Sequence, residues 1–399
     1  MKNFNRRVGA VVIGWLAMAV FLSPAHADPM TLEGVTAIPH IVAGNEDDLG
    51  GAPIVPAGAF TGVVSINIRY NEANGGGSFI CTGAVIGQRH VISAAHCVDE
   101  NGEGQVIDIN APDQDVRVVF NDGGVITQVS TATDVTIHPD YAGFGVCGPG
   151  DSAGLFGSQC LNDDIAILTL GEDIPAGVEI YGFDLSDNPI DAGTLLTMVG
   201  HGVSGDGYYG DSISPSFSTK RFGFNLAEFF DCDDGTSFPE SGGYESPSAC
   251  GAIYGNSAEV WYADFDGYDS FLDFIDGAGD GQIDSFCDIF GVGCGNGLGD
   301  DLDSGLFEAN IGGGDSGGPS FVYDYLNDQW LLAGNNTFGT SGFGPFGIPG
   351  AFGEIFGGNI YSPYLPWINQ FVPVPEPGTL ALFGIGLFGM GMARRRKSV

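Results

Sequence analysis

The 399-residue sequence predicts an all-β chain built as two antiparallel β-barrel halves. Three observations predict this class. Sixty-seven glycines mark a chain rich in turns. Short stretches of alternating apolar residues recur between Gly-, Asn- and Asp-rich turns. Three short strings of reactive residues are spread so that two fall in the first half and one in the second, and a seam between rigid halves would unite them.

From the N-terminus, Lys2, Arg6 and Arg7 precede an apolar run from Val8 to Leu22 and then Ala25-His26-Ala27. This is the pattern of a secretory signal peptide over residues 1–27, cleaved before Asp28. A membrane anchor is the competing reading, and the small-residue cleavage site weighs against it. Residues 28–40 read as a short pro-segment. The first barrel is expected from about 41 to 185. Within it, Ala84-Val85-Ile86 and Val91-Ile92-Ser93 read as a hairpin ahead of Ser93-Ala94-Ala95-His96-Cys97, and Ile165 to Leu168 read as a strand following Asn162-Asp163-Asp164. Gly143 to Ser158 read as a surface loop beside Asp164. The second barrel, from about 186 to 371, carries Gly313-Gly314-Asp315-Ser316-Gly317-Gly318-Pro319.

The stretch from about 204 to 310 reads as an acidic Gly/Asp-rich insertion. It includes Asp264-Phe265-Asp266-Gly267, Asp276-Gly277-Ala278-Gly279-Asp280-Gly281 and Asp300-Asp301-Leu302-Asp303. Carboxylates alternating with glycine can wrap a hard cation, so structural calcium is one reading. None of the strings has the full EF-hand spacing, and a solvated acidic loop, an exosite or a lid are the others.

A serine hydroxyl is a weak nucleophile at neutral pH. It needs an imidazole to take its proton and a buried carboxylate to hold the imidazole's tautomer. Ser316, His96 and Asp164 supply these three groups. The oxyanion formed on attack needs backbone N–H donors without obstructing side chains, which Gly314 and Ser316 would provide among their glycine neighbours. His40, His138 and His201 read as structural or incidental.

The order His, Asp, Ser and the three local strings resemble the trypsin/chymotrypsin family of serine proteases. Other folds with this triad use other orders. The resemblance covers roughly residues 41–371. It implies two barrels of the trypsin-like type with the active site at their interface and a short terminal helix at Pro363-Tyr364-Leu365-Pro366-Trp367-Ile368-Asn369. Gly200-His201-Gly202 resembles the family's Gly-Trp-Gly, and Thr337-Phe338-Gly339 its substrate strand. The resemblance implies a histidine-loop disulfide between Cys81 and Cys97. It also implies an activation step in which a new N-terminus at Ile41, in Ile41-Val42-Ala43-Gly44, pairs with Asp315. His40 stands where the family has Arg or Lys. The family's pocket base falls at Asn310, whose neutral amide disfavours strict cleavage after Arg or Lys, while Gly339 would leave the pocket open. Gly312 occupies the position of a cysteine that normally flanks the pocket.

Eight cysteines after a signal peptide fit an oxidising compartment. Neighbouring spacing suggests Cys81 with Cys97, Cys147 with Cys160, Cys232 with Cys250 and Cys287 with Cys294. Zinc at the last pair is disfavoured, because no Cys-x-x-Cys or histidine cluster accompanies it. Val374-Pro375-Glu376-Pro377, an apolar segment through Ala393 and Arg394-Arg395-Arg396-Lys397 resemble the PEP-CTERM sorting tail of Gram-negative bacteria. The segment is short for a permanent span of ~20 residues. A transient anchor over 372–399 that an exosortase removes accounts for it, and a single-span tether is the alternative.

Outside the two tails the chain keeps five basic residues against 49 acidic ones. That balance excludes nucleic acid as a partner, because phosphate would be repelled everywhere. The expectation is a secreted, monomeric serine endopeptidase acting on protein or peptide substrates. It crosses the inner membrane, reaches the cell surface or matrix, and needs no cofactor or metal for its chemistry. A catalytically silent acidic matrix-binding protein and a carboxylic-ester hydrolase are the competing readings.

Overall fold

The computed structural model describes residues 30–32, 35–37, 42–44, 53–71, 76–148, 160–232, 250, 257–268, 282–283, 285–286, 308–340 and 348–372. The signal peptide, Ile41, Cys287, Cys294 and the sorting tail lie outside these residues.

Six strands make the first half: β1 (Val63–Tyr70), β2 (Gly77–Gly87), β3 (His90–Ser93), β4 (Asp115–Asp122), β5 (Val125–Ile137) and β6 (Ala166–Leu170). They close into a barrel in the order β1-β2-β3-β6-β5-β4. The expected hairpin is β2-β3, paired Ala84 to Ile92 and Val85 to Val91. β-Branched and aliphatic residues favour these strands because they pack well on a pleated surface. One face of each strand fills the barrel with Ile66, Ile68, Val85, Val91, Val118 and Leu168.

The second half contains β7 (Leu195–Gly200), β8 (Arg221–Leu226), β9 (Phe229–Cys232), β10 (Ala258–Asp264), β11 (Pro319–Asp324), β12 (Gln329–Asn335) and β13 (Ile355–Asn359). β7 pairs with β8, which runs through Ala227-Glu228 into β9, and β9 pairs with β10. β10 pairs with β13. An isolated bridge between Gly334 and Ile360 joins β13 to β12, β12 pairs with β11, and β11 returns to β7. These two linked sheets pack around Met198, Phe230, Trp261, Phe265 and Phe356.

Two sequence expectations change here. Val42–Gly44, assigned to the start of the first barrel, pairs instead with Glu308–Asn310 and with Gly205 and Asp206 in the second half. The supposed insertion 204–310 supplies β8, β9 and β10. Within these strands Glu259, Asp231 and Asp264 are buried, while the strings Asp276 to Gly281 and Asp300 to Asp303 lie outside the described residues.

The halves meet on a shared apolar seam that includes Val63, Ile92, Val199, Phe321 and Leu332. Near the end of the described residues lies α1 (Leu365–Ile368), with Pro366 in the first turn, where a missing N–H costs nothing. Ile368 is buried, and Trp367 sets its ring edge-on to His138 at 5.1 Å. Disulfides join Cys81 to Cys97, Cys147 to Cys160 and Cys232 to Cys250. Among the described residues no helix is long and apolar enough to cross a membrane.

Candidate active site

His96 sits on a single 3-10 turn, Ala95–Cys97, that directly follows β3. Ala94 and Ala95 are wholly buried, and the Cys97 disulfide pins the turn to β2. Asp164 precedes β6, the strand paired with β3, so barrel register brings the two residues together. The His96 backbone N–H donates to Asp164 Oδ1 at 2.7 Å, and His96 Nδ1 lies 2.5 Å from Oδ2. The Asp164 side chain is 1% exposed and that of His96 22%. Burial alone would lower the His96 pKa, but the Asp164 charge and hydrogen bond overcome it, and the net direction is up. Tethering Nδ1 in this way leaves Nε2 directed at the cleft as the basic atom.

Ser316 belongs to the turn between Glu308–Asn310 and β11. The Asp315 N–H donates to Gly312 O, the Gly318 N–H to Asp315 O and the Gly317 N–H to Asn336 O. The first barrel grips this turn: the Thr82 N–H donates to Ser316 O at 2.9 Å and Thr82 Oγ1 to Gly314 O at 2.8 Å. Gly317 is obligatory, since its φ is +78° and a Cβ there would lie 2.1 Å from Ser93 Oγ. Gly314 has φ +105°. Among the described residues neither the Gly314 nor the Ser316 N–H has a partner.

A cleft of about 340 Å³ opens at this seam, lined among others by His96, Phe144, Asp211, Ser316, Phe338 and Glu354. Thr337 and Gly339 line it as well. Asn310 does not. Its side chain is fully buried behind the wall, with Nδ2 donating to Glu354 Oε2 at 2.7 Å and Oδ1 accepting from the Ile311 N–H. Both ends of the amide are thereby satisfied, and the group presented to the cleft is the Glu354 carboxylate. Burial pushes its pKa up to about 7, against the lowering effect of the Gly350 N–H and Asn310. Gly339 leaves room for it: a Cβ there would stand 3.1 Å from Glu354 Oε1. Asp211 is exposed at the mouth. Sequence reasoning missed both acids and Phe144, whose ring centroid lies 5.0 Å from that of His96. Glu354 carries no local motif, and its role arises from pairing across strands.

Asp315 is fully buried and accepts from the Gly202 N–H at 2.7 Å and the Gly312 N–H at 3.0 Å. A Cβ on Gly200 or Gly202 would run into its carboxylate, which accounts for the Gly200-His201-Gly202 string. Burial pushes its pKa up to about 8, and no cation pairs with it among the described residues. Its expected partner Ile41 falls outside them.

His201 is wholly buried and held near pKa 3 by burial, with Lys220 adding to the effect. His138, read as incidental, does have an acidic neighbour: Nδ1 lies 3.0 Å from Asp163 Oδ1, without hydrogen-bond alignment. Asp163 also donates its N–H to Tyr364 Oη. This arrangement braces the segment leading into Asp164.

The site can activate a hydroxyl by proton transfer to a carboxylate-tethered imidazole and can offer two free amides to a developing oxyanion. Residues 51–214 match the family profile described as Trypsin, and residues 373–397 match the PEP-CTERM protein-sorting motif. The first match holds His96 and Asp164 but ends before Ser316, which the fold alone brings to the cleft. The chain is 33% identical over 135 residues to "Venom serine protease Bi-VSP" of Bombus ignitus. That stretch covers 33% of this chain and 31% of the relative, so the chain spans about a third of the curated relative it matches.

Proposed function

We propose that the chain, in which residues 51–214 match the Trypsin profile and residues 373–397 the PEP-CTERM sorting motif, is an exported serine endopeptidase working through Ser316, His96 and Asp164. One observation carries this reading: the His96 Nδ1 to Asp164 contact of 2.5 Å in a cleft that Ser316 also lines. The Ser316 hydroxyl adds to the scissile carbonyl as its proton passes to His96 Nε2. The Gly314 and Ser316 amides hold the oxyanion. His96 returns the proton to the leaving amine, leaving an acyl-enzyme, and water then repeats the sequence to free the acid and Ser316. Asp164 keeps the imidazole in the right tautomer and stabilises its cation.

Glu354 supports a preference for a cationic side chain in the cleft, a charge that Asn310 could not supply. The buried Asp315, which no cation pairs with among the described residues, supports a precursor in which the oxyanion site is completed by a new ammonium at Ile41 after cleavage. The sorting motif supports passage to the surface of a Gram-negative cell, with an exosortase as the processing partner.

The test compares wild type, Ser316→Ala and His96→Ala on a casein-like protein and on small esters. We expect peptide-bond turnover by wild type and a loss of at least 10³-fold in either variant. Ester turnover without peptide cleavage would identify an esterase, and unchanged turnover in Ser316→Ala would remove the assigned nucleophile.

A further inference from the structure

Three carboxylates gather away from the cleft, inside the second half. Glu228 lies in the two-residue link between β8 and β9, Asp264 ends β10, and Asp266 follows two residues later, so that strand alternation turns Asp264 and Asp266 to one side. One oxygen from each lies within 4.8 Å of the other two. The three residues are 2%, 0% and 5% exposed. They are therefore not a solvated acidic surface. Asp264 Oδ2 accepts the Phe286 N–H at 3.0 Å, whereas among the described residues Asp264 Oδ1 has no hydrogen-bond partner.

The cluster is held by rigid backbone. The Glu228 N–H donates to Tyr262 O at 2.9 Å, the Phe265 N–H donates to Glu354 O at 3.0 Å and the Gly353 N–H to Phe265 O at 2.7 Å. Asn225 Nδ2 donates to Asp264 O at 2.7 Å. A fourth buried acid, Glu308, accepts the Asp266 N–H through Oε1 at 2.7 Å. Three like charges this close and this dry repel strongly, and a buried charge is tolerated only with a proton or a counter-cation. All the donors are oxygen, which selects a hard cation. All three oxygens lie within 4.8 Å of one another, close enough for one ion to reach them, and a dry interior disfavours Mg²⁺, which dehydrates reluctantly and keeps several waters, whereas Ca²⁺ accepts an irregular shell of carboxylates and carbonyls.

We infer that Glu228, Asp264 and Asp266 form a calcium site built into the second half of the fold. The ion joins the β8-β9 link to the end of β10, and carbonyls or water complete its shell. The strings richest in alternating Asp and Gly, from Asp276 to Asp303, are not needed for it. Phe265, between two of the ligands, is bonded through its backbone to Gly353 and Glu354. Calcium therefore also steadies the wall that presents Glu354 to the cleft. The binding site itself stands apart from the peptidase reading, and its test uses no turnover.

The experiment takes the purified exported chain, strips it with EDTA and titrates it with Tb³⁺ and then Ca²⁺. Trp261 is fully buried three residues from Asp264 and serves as the sensitiser of Tb³⁺ emission. We expect a tight, stoichiometric Tb³⁺ signal displaced by Ca²⁺, and a Tm about 5 °C higher at Ca²⁺ a hundredfold above Kd than in EDTA. Asp264→Asn and Glu228→Gln should each abolish both responses, and a variant with Asp300, Asp301 and Asp303 changed to Asn should keep them. A wild-type Tm indifferent to Ca²⁺ overturns the site, as does a response that survives Asp264→Asn and Glu228→Gln or vanishes in the Asp300 to Asp303 variant. Should either single variant fail to fold, the wild-type titration and the distal variant still decide.

Discussion

At the scale of single residues, the His96–Asp164 contact sets the pH behaviour. His96 must be neutral to accept a proton, and Asp164 raises its pKa above the ordinary 6.5. We expect kcat/KM to rise with pH along a limb whose apparent pKa exceeds 6.5, measured on a soluble peptide. Glu354 adds a second dependence. It carries charge mainly above pH 7, so preference for Arg or Lys over an apolar residue should grow from pH 6 to 8. In Glu354→Gln that preference should fall at least tenfold, read from kcat/KM ratios. Equal ratios in wild type and variant would remove Glu354 from recognition. His96, Asp164 and Ser316 were legible in the sequence because each sits in a short restrictive string. Glu354 was not, because it reaches the cleft only through the pairing of β13 with its neighbours, and Asn310 was misread as facing substrate.

At the scale of elements, each reactive residue rests on a short turn held by the opposite barrel or by a covalent bridge. The Cys81–Cys97 loop, with a separation of 16 residues, should contribute about 3 kcal/mol. A Cys81→Ser/Cys97→Ser double variant should lose about that much in denaturant unfolding, with His96 function lost at lower denaturant than the fold. Gly317→Ala forces a Cβ toward Ser93 Oγ and the Ala94 N at a left-handed φ. It should cost about 2–4 kcal/mol by the same measurement. The hairpin around His96 could be read from apolar alternation. β10 could not, since all seven of its residues are buried and two of them are acids, so neither alternation nor hydrophobicity marks it.

At the scale of the whole molecule, the dominant property is negative charge, much of it taken inside. Burial raises Asp315 to about 8, Asp231 to about 7 and Glu354 to about 7. A carboxyl with a raised folded pKa favours the folded state where it is protonated. Its contribution is full below the unfolded value near 4 and is lost as pH rises through the folded value. We therefore expect the calcium-free precursor to melt several degrees higher at pH 5 than at pH 8.5. A Tm that rises over this interval would contradict the burial of these groups as acids. Composition alone revealed the charge, yet it could not show which of the acids the strands bury. Asp231 and Asp264 lie buried in the strands of the second half, and Asp315 is buried beside Gly202.

We propose Ser316 as a nucleophile activated by His96 in an exported, processed chain. Mass spectrometry of the exported protein after treatment with a fluorophosphonate probe tests it most directly, because one spectrum reports both the N-terminus and the modified residue. A single adduct on Ser316 is expected in chains that begin at Ile41, and none in chains that still begin at Asp28. A chain that begins at Ile41 and takes no adduct, or takes it on another residue, would contradict it.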